Sequence, residues 1–324
     1  MRAVIGQCVL AAVALALGLL AAQAQDYPSR PIRIIVPVPP GGGVDLAARL
    51  VGQKLGDILG QQIVIENQPG ASGVIAAQTV AKAAADGYTL LFAPSDFITL
   101  PALMPLRGFD PSKELTPIAM VSSNPLVVAA NANAPFSTVK ELIEAAKASA
   151  GGIAFGSPGA GTVNRVVGEW IAMAAKINLM NVPYRGGPAT ARGIAAGEVP
   201  LGIVSPIAVY PGLVEAGKVK VIALTAPRPP SLPASWPTLA ESGLPIEAAL
   251  WLGLFAPAGT PAAVASRVDQ AVGQALHDDS LRKRMTDVGI NPDHIGRAAL
   301  IARIKSDTAH YDQVIRQTGI RVEQ

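Results

Sequence analysis

The sequence predicts a two-domain α/β fold, on three observations. Runs of buried-strand character alternate along the chain with segments of helical periodicity. Glycine-rich turns sit at the strand-to-helix junctions. The 324 residues exceed one comfortable core and suit two domains of about 150 residues each. Alternation of this kind argues for parallel sheets covered by helices on both faces. Half of the residues are apolar and only 15% are charged, which excludes intrinsic disorder.

The chain opens with an address. Arg2 precedes an uncharged run from Ala3 to Ala22 that ends in Ala22-Gln23-Ala24. A basic start, an apolar stretch and a small-x-small exit predict a secretory signal peptide over 1–24, cleaved after Ala24. Gly6, Gln7 and Gly18 argue against a permanent anchor. The one cysteine, Cys8, leaves with this segment. That excludes a disulfide framework, an iron–sulfur cluster and a Cys-rich zinc site, and it suits an oxidising compartment such as the bacterial periplasm. No later stretch reaches spanning length without Gly, Pro or charge, so no membrane insertion is expected after cleavage.

Ile32 to Val36 reads as a buried strand stopped by Pro37-Val38-Pro39-Pro40-Gly41-Gly42-Gly43. A helix is predicted from Asp45, which can cap it, to about Leu59, with Leu46, Leu50, Leu55, Ile58 and Leu59 at helical spacing. Gln62 to Glu66 is the next strand, followed by a Pro69-Gly70 turn and a helix ending near Ala85. Asp86-Gly87 turns the chain into a strand from Tyr88 to Ala93. The same grammar predicts strands at 118–121, 126–129, 153–156, 179–182, 199–204, 219–224 and 251–256, and a helix over 137–149. Helices fall between these strands, and the chain from about residue 260 onward reads as mostly helical, with starts near Pro261, Asp279 and Gly296. Pro227 to Pro233 reads as a rigid surface loop.

Charge and motifs exclude several classes. A formal net charge of +3, or +2 without Arg2, leaves no nucleic-acid footprint. No serine sits in G-x-S-x-G, and Gly217-Lys218 is followed by Val219 rather than a hydroxyl residue, so no Walker A loop is present. His277, His294 and His310 fall in the C-terminal helical region at spacings that fit neither a metal site nor a general base near the glycine loops. No metal and no cofactor are expected. One alternative stays open: Gly159-Ala160-Gly161-Thr162-Val163-Asn164 nearly meets the dinucleotide fingerprint, except that Asn164 stands where a glycine is needed. An exported α/β oxidoreductase binding a dinucleotide at the Gly156 to Thr162 loop is therefore the second hypothesis.

What remains is a pair of anion cradles. Pro40, Gly41, Gly42 and Gly43 precede the Asp45 helix, and Ser157, Gly159, Gly161 and Thr162 precede a helix reaching about Lys176. Each loop follows a strand and opens a helix, so unpaired amides and the positive helix end converge there. Neither loop carries Lys or Arg at its centre, which suits a carboxylate better than a triphosphate. Charge-assisted hydrogen bonds contribute ~1.5–3 kcal/mol each, so four or five, with two helix termini at ~1 kcal/mol each, suffice for the ~8 kcal/mol of micromolar binding after the ordering costs of closure.

A longer pattern surrounds these loops. It includes Tyr27-Pro28-Ser29-Arg30-Pro31, Val36-Pro37-Val38-Pro39-Pro40-Gly41-Gly42 with Asp45 and Arg49, and Glu66-Asn67 with Pro69-Gly70-Ala71. It continues through Asp86-Gly87-Tyr88-Thr89-Leu90-Leu91, Val182-Pro183-Tyr184 with Gly186-Gly187, Ala216-Gly217-Lys218, and Leu254-Phe255-Ala256-Pro257-Ala258-Gly259-Thr260-Pro261. In this order and spacing the chain closely resembles the periplasmic solute-binding proteins of tripartite tricarboxylate transporters, the Bug receptors, along almost the whole mature chain.

The resemblance implies a two-domain, type II-like Venus flytrap fold, each domain a mixed sheet flanked by helices and joined by crossing strands. Domain 1 would comprise 25–122 and 250–324, and domain 2 would comprise 123–249. A small organic acid is expected in the cleft, its carboxylate held between the two loops and partly through ordered water, with transporter membrane subunits or a sensor kinase as partners, and a monomer is expected. By this resemblance Val38 joins the first loop, Ser95 belongs to the hydroxyl-rich turn after the third strand, and Tyr184 begins a further cleft loop. Two positions depart from the family. Val38 replaces the usual Phe, and Val204-Ser205-Pro206 stands where many relatives have Asp, a loss expected to disfavour ligands with an amino group. Arg165 and Arg185 are expected to be solvated loop-edge residues. A binding protein, not an enzyme, is the expectation.

Overall fold

The structure, a computed structural model, describes residues 27–322 apart from 105 and 107. The expected export segment, 1–24, lies outside the described residues. None of the described helices is long and apolar enough to cross a membrane.

Eleven strands form two sheets among the described residues. In chain order they are β1 (Ile32–Val36), β2 (Ile63–Asn67), β3 (Thr89–Pro94), β4 (Leu115–Pro125), β5 (Val127–Asn131), β6 (Ile153–Ser157), β7 (Leu179–Pro183), β8 (Leu201–Val204), β9 (Val219–Leu224), β10 (Ala249–Pro257) and β11 (Pro292–Gly296). The longer helices are α1 (Gly43–Leu59), α2 (Val74–Ala81), α3 (Val139–Ala148), α4 (Val163–Ala175), α5 (Gly187–Ala196), α6 (Ala262–Leu276), α7 (Asp279–Asp287) and α8 (Arg297–Thr318). One sheet runs β11-β4-β10-β3-β1-β2 and the other β7-β6-β8-β5-β9. The result is a two-domain α/β fold of two mixed sheets flanked by helices.

The parallel sheets read from strand–helix alternation are corrected to mixed ones. β1 pairs in parallel with β2 and β3, and β6 with β7 and β8. β10 is antiparallel to both β3 and β4, and β5 is antiparallel to β8 and β9. The reversal follows from the route of the chain: it leaves the first sheet along β4 and re-enters along β10, so the two crossing strands run in opposite senses.

Side-chain alternation explains the layering. Ile32, Ile34 and Val36 share one apolar cluster with α1, α6 and α7, whereas Ile35 faces the opposite cluster with α2 and α8. In β5, Val127 and Ala129 face α5, while Val128 and Ala130 face α3 and α4. The cluster containing Ile35 runs on through Leu126 to Val163, Val166 and Ile171 of α4 and to Val314 and Ile315 of α8, so apolar packing is continuous between the two sheets.

Most predicted elements lie within a few residues of their places. The helix expected to end near Ala85 stops at Ala81, followed by a turn closed by the Ala83 amide on the Val80 carbonyl at 2.9 Å. The predicted 118–121 strand is the middle of the eleven-residue β4. Ser122, Ser123 and Asn124 hid the rest, because pairing with β10 rather than an apolar pattern extends it. β11 was not expected: Pro292-Asp293-His294 carries no strand periodicity, and its pairing with β4 at Ser122, Met120 and Ala119 forms it.

Where the crossing strands meet the second sheet, Thr225 forms a fully buried hub. Its hydroxyl accepts the Leu126 amide at 2.8 Å and donates to the Ala248 carbonyl at 2.6 Å. Its own amide donates to Leu126 and its carbonyl accepts from Ala248.

Candidate functional site

A cavity of about 930 Å³ opens between the two sheets, at the ends of β1, β3, β6, β7 and β8. Ligands bind at such carboxyl ends of strands in open α/β sheets. Val38, Pro40, Gly41, Gly42 and Gly43 line it from the first lobe, and Gly159, Thr162, Tyr184 and Ser205 from the second. Nine of the thirteen expected site residues are thus brought together.

The other four lie behind the wall. Asp45 is buried and braces the first loop: its Oδ2 accepts the Gly41 amide and Arg49 Nε at 3.0 Å each, and its Oδ1 accepts Asn67 Nδ2 at 2.8 Å. Asn67 Nδ2 also donates to the Val38 carbonyl at 3.0 Å, so one amide–carboxylate pair fixes both ends of the loop. Burial pushes the Asp45 carboxyl up, but Arg49, the Gly41 amide and Asn67 outweigh it and hold it below the usual range. Gly41 takes φ +87°, which glycine alone adopts without strain. The loop is therefore a rigid presentation of the α1 N-terminus, whose first amides have no acceptor inside the helix.

Ser95 is fully buried, with its Oγ 3.5 Å from the Trp251 amide. Ser157 is also buried and donates to the Gly159 carbonyl at 3.2 Å, while Thr162 Oγ1 donates to the same carbonyl at 2.8 Å. These hydroxyls shape the second loop. A Cβ on Gly161 would stand 2.7 Å from Ser72 Oγ and 3.0 Å from Leu100 Cδ2, so Gly161 lets the lobes touch beside the cavity. On another side, a Cβ on Gly43 would stand 2.6 Å from Ile207 Cγ2 of the opposite lobe.

The second cradle is not an empty helix end. The first amide of α4, Val163 N, donates at 2.8 Å to Oδ1 of Asp96, which comes from the turn after β3 in the first lobe. Asp96 lines the cavity where Ser95 does not. Burial pushes its carboxyl up to about 6, with the Val163 amide pulling the other way. The signal for it was in the sequence: Asp96 is the one charge between Tyr88 and Leu106, directly after a strand.

A further helix N-terminus, outside the two predicted cradles, opens on the cavity. Gly186 and Gly187 begin α5 and line the cavity, with Gly186 at φ +88°. Arg185 and Arg192 stand beside them. Tyr184 contributes its ring: a Cβ on Gly193 would stand 2.6 Å from its Cζ, and its hydroxyl donates to Glu198 at 3.1 Å. Arg185 is exposed, as expected of a loop-edge residue. Arg165 is corrected: its side chain is 15% exposed and its guanidinium donates to the Ala160 and Arg321 carbonyls at 3.1 and 3.0 Å, tying the second loop to the C-terminal segment. The histidines stand apart from the cavity: His294 Nε2 is 2.9 Å from Asp269 Oδ1, and the His310 ring packs at a tilt of 51° against Trp170.

Two sheets joined by crossing strands around a ligand-sized cavity, with helix N-termini facing it from both lobes, define a two-lobed binding protein. The chain matches the family model described as tripartite tricarboxylate transporter family receptor over residues 47–320, and it belongs to that family of periplasmic solute-binding proteins, the Bug receptors. It is 31% identical to protein BugT of Bordetella pertussis over 304 residues, 93% of each chain. Among solved structures it resembles R. palustris Rpa4515 with adipate, at TM-score 0.85 and 30% identity over 91% of this chain and 99% of that one. It also resembles MatC from Rhodopseudomonas palustris with bound malate, at TM-score 0.81 and 30% identity over 89% of this chain and all of that one.

Proposed function

We propose that this protein captures a small organic carboxylate in the cleft, by closure of the two lobes, and delivers it to a tripartite tricarboxylate-type transporter; a sensor kinase is the second partner to test. The observation that carries the reading is the meeting of two amide-rich helix starts, at Gly42-Gly43 and Gly186-Gly187, with Arg185 and Arg192 in one cavity. An anion there gains backbone donors, two helix termini and two guanidinium groups. That relatives of similar fold hold adipate and malate supports the same ligand class here.

Closure is a population shift, because only the shut form lets both lobes touch the ligand. The moving bodies are 25–122 with 250–324, and 123–249, hinged at the Thr225 hub. The site residues are those that line the cavity, with Asp45, Ser95, Ser157 and Gly161 holding the walls. Export through the 1–24 segment places the mature monomer in the periplasm, beginning at Gln25, which mass spectrometry of the exported protein tests.

Binding without catalysis is the reading the site favours. A dinucleotide at the Gly156 to Thr162 loop would set its pyrophosphate against Asp96, and Asn164 is held by its Nδ2 on the Ile203 carbonyl at 2.9 Å. The test is a melting-shift screen of refolded mature protein against several dozen organic acids, with NAD and NADP alongside. A cognate acid raises the melting temperature by mass action, and Gly42→Val, which places a branched side chain in the cavity, abolishes the shift. A shift with a dinucleotide and none with any acid would overturn the reading.

A further inference from the structure

Asp96 is the only acidic side chain among the described residues that line the cavity, and two arginines, Arg185 and Arg192, line it from the opposite lobe. It holds the α4 amide that a ligand carboxylate would otherwise take. A second carboxylate at that helix start would meet Asp96 at contact range, where like charges exclude one another. The α4 end of the cavity is therefore closed to the anionic part of a ligand, and the α1 and α5 ends, with Arg185 and Arg192, are left for it.

An ionised carboxylate has about four acceptor sites and no donor. One donor, the Val163 amide, is provided for Asp96 by the protein among the described residues. Its raised pKa has the same origin: burial has removed more water than one amide replaces. A ligand atom placed beside Asp96 completes its surroundings when that atom is a donor, and strands it when it is a methylene.

We propose that Asp96 is a specificity-determining residue, selecting carboxylates that carry a hydroxyl or ammonium donor over unsubstituted acids of the same skeleton. This rests on the carboxylate-binding reading above. It also reverses the expectation drawn from Ser205, because the acid missing after β8 is supplied from the first lobe. The donor sits at the Asp96 end of the ligand and the carboxylate at the Gly43 and Gly187 ends.

The experiment is calorimetric titration of refolded protein with three matched sets: succinate, malate and aspartate; adipate, 2-hydroxyadipate and 2-aminoadipate; 3-phenylpropionate, 3-phenyllactate and phenylalanine. In each set that binds, a donor-bearing member is expected to bind at least tenfold more tightly than the unsubstituted one. Asp96→Asn is expected to shrink that ratio below threefold. The order of the hydroxy and amino members reads which donor is meant. Equal or tighter binding of the unsubstituted acids overturns the proposal while leaving carboxylate capture standing, as does an unchanged ratio in Asp96→Asn, which would make Asp96 a latch between lobes only. Should that variant fail to fold, the wild-type ratio decides alone. No binding by any member of the three sets, nor by any acid of the melting-shift screen, overturns the parent reading with it.

Discussion

Asp96 Oδ1 accepts the Val163 amide at 2.8 Å, a bond from the turn after β3 in one lobe to the start of α4 in the other. An internal carboxylate thus occupies a helix terminus that sequence alone assigned to a ligand. The pair joins the lobes beside the cavity and fixes the charge a ligand meets there.

That bond has a pH signature. The Asp96 carboxyl is raised from an ordinary 3.8 to about 6 in the folded protein. The native state therefore holds its proton more tightly than the unfolded chain, and stability falls as pH rises from about 4 to about 6. Two pH units correspond to nearly 3 kcal/mol in full, reduced to about 1–2 kcal/mol because the side chain keeps some contact with cavity solvent. Burial pushes the Tyr311 hydroxyl up, so it stays neutral throughout that window. Urea unfolding at steps from pH 4 to 7 should show wild type losing this amount relative to Asp96→Asn. A difference independent of pH would contradict the assignment.

Gly43 and Ile207 measure how closely the lobes approach. A Cβ at Gly43 would stand 2.6 Å from Ile207 Cγ2, inside any permitted contact. Overpacking of this kind costs about 1–3 kcal/mol, and because the contact crosses between the lobes, the closure proposed above predicts relief by parting them. Gly43→Ala should weaken ligand affinity about tenfold with little change in far-UV circular dichroism. Adding Ile207→Ala should restore affinity to within about threefold, since the two changes share one contact. Additive losses in the double variant would show that the contact does not limit closure.

Asp45 supports the first loop through charge, from a buried position behind the cavity wall. Its carboxylate is held below the usual range, so its contribution is present above about pH 4 and lost as pH falls through the folded value. Asp45→Asn should cost about 2–3 kcal/mol at pH 7, read as a melting temperature lower by about 5–10 °C. The loss should shrink on acidification. A constant deficit down to pH 3 would point to packing instead of charge.

How much was legible in the sequence follows from which interactions are local. β1 with its Gly41–Gly43 turn, α1 and the strand of 219–224 were readable because apolar periodicity and glycine placement are properties of neighbouring residues. The mixed sheets were not readable from alternation, because the direction of β10 is set by a chain that returns from the other lobe. β11 escaped for the same reason. In the site, backbone cradles were legible and their occupants were not. Ser95 and Asp96 are adjacent, and only the twist of the turn after β3 decides which faces the cavity. Arg165 looked like a solvated arginine until the C-terminal segment, 156 residues on, supplied the Arg321 carbonyl.

Thr225 is where the crossing strands are tied together, and its hydroxyl serves two backbone groups at once. Both partners, the Leu126 amide and the Ala248 carbonyl, lie in segments that enter and leave the second sheet. Thr225→Val keeps the volume and shape of the side chain, so no cavity term enters. It leaves a donor and an acceptor without a partner, at about 1–3 kcal/mol for each such group. The variant should lose about 2–4 kcal/mol by urea unfolding, while Thr225→Ser, which keeps the hydroxyl, should lose half of that or less. Amide exchange gives the local readout: the Leu126 amide should lose protection in the valine variant, whereas the Ala248 amide, bonded to the Thr225 backbone, should keep more of it. Equal stability of the valine variant and wild type would mean that the hub is held by the strand ladders alone and that the hinge lies elsewhere.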